Sequence, residues 1–220
     1  MTEYRHATET NDSTEEEDYT PGKFKQSEID EHIGLLDENG NLIKRSCNIT
    51  ADISIFVNQA IKDGTINPDI INPATGEVDL TKVYDIAKSY GDSIIKGNFS
   101  VADDEKLAKI IAPTSNYSLV NGGTVTSDNI INHLDSGQPV KVTLSDGHRE
   151  TIYDYDTDAN GNVTRFKIDD VGYQGDKYVD PKTMQPYKVT NEGTKYEKKK
   201  YSQSHGDGSA RTVNNIQVLQ

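Results

Sequence analysis

From Val140 to Asp170 the sequence alternates in side-chain character and is broken twice by turn residues, which commits this stretch to antiparallel β structure. Strands are expected over 139–144, 149–156, 162–169 and 177–180, with a further one near 186–190. The run Ser145-Asp-Gly147 is a tight turn that presents His148, and Thr157-Asp-Ala-Asn-Gly161 is a hairpin turn whose Asn-Gly pair tolerates positive φ. Upstream the period changes. Ile49, Ile53, Phe56, Val57, Ala60 and Ile61 recur at three- and four-residue steps, so a helix is expected from Cys47 to a stop at Gly64. Asn48 or Thr50 can cap it, and Asp52 suits the positive end of its dipole. Further helices are expected over 80–90 with Asp79 as cap, over 102–111, and over 127–135 with Ser127 as cap. Helices first and antiparallel strands after them make an α+β domain.

The bulk composition limits how much of the chain that domain can use. Only 33% of the 220 residues are hydrophobic and there is no tryptophan, so unpacked ends are expected. Residues 1–25 read as a disordered acidic tail, 26–201 as the folded domain, and 202–220 as a flexible C-terminal tail. A net charge of −13 argues against nucleic acid or an anionic membrane as partner. No apolar stretch approaches a membrane span, and residues 1–20 carry seven acidic side chains and one arginine, unlike a secretory signal. The expected location is the cytoplasm, or outside the cell by a route without a conventional signal peptide. One cysteine permits no internal disulfide, and one cysteine with scattered histidines gives no zinc spacing, so neither metal nor cofactor is expected.

Three groups carry chemistry. Cys47 opens a helix, where unpaired amides and the helix dipole favour thiolate, the attacking form of the residue. His148, projecting from a turn between two strands, has the reach of a general base. Asp169 and Asp170 end the strand that pairs with the one leaving His148, and a carboxylate there orients an imidazole. Neighbouring strand residues face opposite sides, so one of the two serves; Asp169 is placed first, Asp170 close behind, with Asp180 on a later strand as a further option. Separately, Asp156-Thr-Asp158-Ala-Asn160-Gly161-Asn162 copies the opening of a calcium loop, but Lys167 stands where the closing glutamate belongs, and a hairpin turn is the simpler reading.

Taken in order, Cys47 at a helix start, Thr126-Ser-Asp-Asn-Ile-Ile-Asn-His-Leu-Asp-Ser-Gly-Gln-Pro-Val140, and Asp146-Gly-His148 at the head of a strand resemble the papain-superfamily cysteine peptidases that process bacteriocin leaders, together with their stand-alone bacterial and phage relatives. The resemblance implies a papain-like fold, with N-terminal helices packed on a C-terminal antiparallel sheet. It also implies a hydrolase that acts on a protein or peptide, cleaving a peptide or isopeptide bond through a Cys47 thioester. His148 would shuttle the proton, and Asp169 or Asp170 would orient it. The chain departs from the pattern in three places. Asn48-Ile-Thr50 follows the cysteine instead of Gly-Pro and small residues, and Arg149-Glu150 replaces apolar residues after the histidine. No glutamine stands just before Cys47 to bind the oxyanion, leaving Asn41 or the Cys47 backbone amide. The rival expectation is a catalytically silent interaction module on the same scaffold, a phage-borne or secreted effector that binds a host protein. A calcium-steadied adhesin using residues 156–162 is a third.

Overall fold

The computed structural model describes residues 19–96, 99–172, 177–192, 195–200 and 211–220. Its N-terminal part is helical: α1 (Gln26–Ile33), α2 (Cys47–Lys62), α3 (Leu80–Ser89), α4 (Gly91–Lys96) and α5 (Val101–Ile111), followed by α6 (Ser127–Asp135) between the first two strands. In α2 the three- and four-residue spacing puts Ile49, Ile53, Phe56, Val57 and Ala60 into a core that also takes Phe24, Ile29, Val83, Leu107 and Ile111. The Asp79 side chain caps α3, and Ser100 with Asp103 forms a capping box on α5. Two expected caps are corrected. Thr126, not Ser127, caps α6, leaving the Ser127 hydroxyl to donate to the Pro181 carbonyl. Ser46 occupies the N-cap position of α2 without a side-chain capping bond, while Thr50 donates its hydroxyl back to the Ser46 carbonyl over 2.7 Å.

Among the described residues eight strands form one antiparallel sheet: β1 (Leu119–Asn121), β2 (Val140–Leu144), β3 (Arg149–Thr157), β4 (Val163–Asp169), β5 (Tyr178–Val179), β6 (Pro186–Glu192), β7 (Lys195–Lys200) and β8 (Val213–Leu219). The order is β1-β8-β2-β3-β4-β5-β6-β7, so the last strand of the chain lies between the first two. Alternation divides the sheet. Leu119 and Leu219 join the α2 core, while Ile216, Val218, Val142, Ile152 and Phe166 join a second core closed by Ile130 of α6. The sheet therefore has helices on both faces, in an α+β arrangement. No helix among the described residues is long and apolar enough to cross a membrane.

Parts of both expected tails belong to the fold. Tyr19 and Phe24 are buried, because residues 19–24 form a strap: the Thr20 N–H donates to Asn58 on α2 and the Gly22 N–H to Asp169. At the other end β8 is a central strand with Val213, Ile216, Val218 and Leu219 buried. Its asparagines and glutamine make the segment look polar, yet Asn214 and Asn215 are exposed positions of an otherwise apolar strand. Residues 1–18 and 202–210 of the two expected tails lie outside the described residues.

Asp52 corrects another expectation. It faces the interior rather than the helix dipole and is fully buried against the Lys141 ammonium of β2. Asp104 of α5 completes the cluster. Burial, and then the negative charge of the neighbouring Asp52, push Asp104 up to about 8. Lys141 pulls in the other direction, and Asp103 adds a weaker push upward. Asp104 thus keeps its proton in the native state and loses it in the unfolded chain at moderate pH. The stability this supplies is complete below the ordinary carboxylate range and is lost as pH rises through about 8. Asp104→Asn is expected to flatten the fall in melting temperature between mildly acidic and alkaline pH. It should also make the variant the more stable protein above that range. Thermal melts across pH check this, and an unchanged slope contradicts it.

Candidate active site

The start of α2 meets the turn between β2 and β3. That turn is shaped by Gly147, at φ +88°, and by Asp146, whose Oδ1 accepts the His148 N–H over 3.0 Å. The backbone thereby fixes the root of the histidine. Its Nε2 lies 2.8 Å from Asp170 Oδ1, and the Asp170 carboxyl is itself held by the Gly172 N–H at 2.9 Å. A Cβ on Gly172 would stand 2.5 Å from His148 Cε1 and 2.7 Å from Nε2, so only glycine lets the chain pass over the ring. With Nε2 engaged by Asp170, Nδ1 is the nitrogen left for the Cys47 thiol, which lies close enough to the His148 ring for each to shift the other's titration.

Electrostatics favour charge separation across this pair. Burial alone would push the Cys47 thiol up. The hydrogen bond and charge of His148, with the Arg149 backbone N–H and charge, outweigh it and hold the thiol below its ordinary value. Burial also opposes charge on His148, but the Asp170 and Cys47 hydrogen bonds and the Glu150 charge raise the imidazole to about 10. Both shifts run toward the thiolate and imidazolium forms of the pair.

Of the candidate residues, the structure brings together Cys47, His148 and Asp170. Asp169, placed ahead of Asp170 from sequence, points the other way and is corrected. It accepts hydrogen bonds from the Gly22 N–H at 2.9 Å, Tyr19 at 3.1 Å and Ser54 of α2 at 3.2 Å, and so anchors the strap. Asp180 is occupied in its own turn by the Lys182 and Thr183 N–H groups. Asn41 is likewise corrected: its side-chain amide donates to the Asp37 carboxylate in an exposed turn. The calcium-like stretch is a hairpin. Asp158 closes it through Asn160 and Asn162, and Asp156 is paired with Arg165 and Lys167. His32 and His133 bond to Asp85 and to Gln138 with the Gly122 carbonyl. His148, Glu150 and Asp170 offer ligand atoms within 4.8 Å of one another, the spacing of a metal site, but Arg211 sets its guanidinium against Glu150 there.

Sequence reasoning missed Gln26. This buried first residue of α1 donates its N–H to the Val171 carbonyl at 2.6 Å, and its own carbonyl accepts from Ser46 Oγ at 3.5 Å. Its side-chain amide donates to Asp30 Oδ2 at 3.1 Å, and Asp30 Oδ1 accepts the Ser46 N–H at 3.2 Å. Gln26 therefore joins the segment after Asp170 to the residue before Cys47. Its signal in the sequence is that it is the sole glutamine ahead of Cys47. Comparison with known proteins supplies no relative: no family model matches the chain, no curated protein matches its sequence, and no solved structure matches its fold.

The two adjacent aspartates give a direct test of the assembly. Asp170→Asn and Gly172→Ala are each expected to slow alkylation of Cys47 by iodoacetamide at neutral pH by about tenfold or more, since losing one pH unit of thiolate stabilisation is a tenfold effect. Asp169→Asn, in the folded protein, is expected to keep the rate within about threefold of the parent. Equal effects of the two aspartates contradict this division of roles.

Proposed function

We propose that the chain is a papain-like cysteine peptidase or amidase that cleaves a peptide or isopeptide bond of a protein or peptide substrate. The observation that carries the reading is the thiol at the start of α2 set beside a histidine whose Nε2 is held by a buried carboxylate. In the first step the Cys47 thiolate attacks the amide carbonyl carbon. The C–S bond forms and the carbonyl π electrons move to oxygen. As the tetrahedral species collapses, the C–N bond breaks and the His148 imidazolium gives its proton to the departing amine, leaving a thioester and a neutral imidazole. A water then attacks the thioester carbonyl and gives its proton to His148. Breaking the C–S bond releases the acid product and restores the thiolate and imidazolium.

The oxyanion needs donors that do not move. The first N–H groups of a helix have no intrahelical acceptor, and α2 opens without a side-chain cap, which leaves the Cys47 N–H for the task. This reading meets the resemblance in the sequence at Cys47 and His148 and selects Asp170 as the orienting acid.

A mixed peptide library digested with the full chain and read by mass spectrometry tests the proposal. Cleavage is expected over a pH plateau that begins below the ordinary thiol range and ends near 10, where His148 loses its proton. Cys47→Ala and His148→Ala should reduce cleavage to background. A folded protein that cleaves nothing and forms no covalent adduct with peptide aldehydes leaves the silent interaction module as the better description.

A further inference from the structure

Two positions after the histidine the chain holds a carboxylate where the resemblance implies an apolar residue, and the fold gives that charge a setting. Glu150 is the second residue of β3 and is fully buried. Its Oε1 lies 3.7 Å from His148 Nε2, on the nitrogen already bonded to Asp170. The same oxygen is 3.4 Å from Nη2 of Arg211, a side chain with 1% exposure. Arg211 stands two residues before β8, and its Nε is 2.8 Å from Asp146 Oδ2. Asp146 in turn accepts the His148 N–H. The four residues close a loop of contacts: imidazole to Glu150, Glu150 to Arg211, Arg211 to Asp146, and Asp146 back to the histidine's own backbone.

A fully buried carboxylate is costly unless a cation answers it. Among the described residues two cations do, Arg211 with a fixed charge and His148 with a titratable one. We propose that Glu150 and Arg211 are positioning residues for His148: Glu150 sets a second carboxylate against the imidazolium, and Arg211, arriving with the last strand, holds that carboxylate in place and offsets part of its charge. The consequence is a graded control of the thiolate and imidazolium pair. Asp170 fixes the ring by a direct hydrogen bond, whereas Glu150 acts over a longer distance and through its charge. Arg211 decides how much of that charge the ring feels. The loop also makes a finished active site depend on the docking of β8.

This inference rests on the Cys47, His148 and Asp170 reading of the site, but its test needs no substrate. The His148 C2 proton is followed by NMR against pH in the full chain, with its resonance identified by its loss in His148→Ala. Glu150→Gln keeps the shape and a hydrogen-bonding oxygen and removes the charge, so the midpoint is expected to fall from near 10 by at least about one pH unit. Arg211→Gln should move the midpoint upward, because Glu150 then faces the ring without its guanidinium. Asp146→Asn still accepts the His148 N–H and turns the whole Arg211 charge toward Glu150, so the midpoint should fall. A merely structural role moves all three variants the same way, through loosening of the site. If Arg211→Gln does not fold, Arg211→Lys decides the matter: it keeps a cation beside Glu150, so the midpoint stays within about half a pH unit of the parent, whereas loosening of the site moves it the same way as the other variants.

A folded Glu150→Gln protein whose His148 titration is unmoved overturns the inference, as does a shift of the same sign in Glu150→Gln and Arg211→Gln. The two readings fail separately. A chain that shows opposite shifts yet cleaves no peptide keeps the charge loop and loses the peptidase. A chain that cleaves peptides but whose His148 ignores Glu150 loses the loop alone.

Discussion

At the end of β4 two neighbouring carboxylates leave the strand on opposite sides, and both halves of the molecule are tied to them. Asp169 turns toward α2, where Tyr19, Ser54 and the Gly22 N–H converge on it. Asp170 turns away and takes His148 at 2.8 Å. The pleat of a strand makes the two directions inseparable: fixing one carboxylate fixes the other. The strap that crosses α2 therefore also sets the acid that orients the histidine. Gln26 strengthens the link, since its N–H bonds the Val171 carbonyl next to Asp170 and its carbonyl receives Ser46 next to Cys47.

Around that anchor the charges are arranged to resist burial rather than to avoid it. His148 is 14% exposed in its side chain, and desolvation disfavours its charged form, yet Asp170, Cys47 and Glu150 outweigh this. The thiol shows the same contest with opposite charge. Farther along α2, Asp52, Asp104 and Lys141 form a second buried cluster in which the proton kept by Asp104 lets two acids face one lysine. One helix thus carries the Cys47 thiol at its first residue and a buried ionic contact to β2 just over one turn later. Both hold its N-terminal end against the sheet.

Much of this was legible in the sequence, and the misses have physical reasons. Periodicity located α2, α3, α5, α6 and β2 to β4 because each has a local apolar pattern and a local stop. The pleat argument also held, in that one of the two aspartates faces the histidine. Their order came out reversed because the partners that claim Asp169 lie 150 residues away at Tyr19 and 115 away at Ser54, and local pattern carries no such information. β8 was hidden for a similar reason: its polar residues are the exposed positions of a strand whose neighbours, β1 and β2, come much earlier in the chain. Gln26 was missed because α1 and the loop after it separate the residue from Cys47 in sequence, although the fold closes that gap.

A thiolate made by the fold would set Cys47 of the folded chain apart from Cys47 of the unfolded one. Iodoacetamide is added at about pH 6, well below the free thiol value, to the native protein and to the protein in urea, and alkylation is followed by intact mass. If His148 and the α2 terminus hold Cys47 as thiolate, the native chain reacts at least about tenfold faster than the unfolded one, and His148→Ala erases the difference. A native Cys47 that resists alkylation and reacts only after unfolding is a packed core residue, and the account of this site is then wrong.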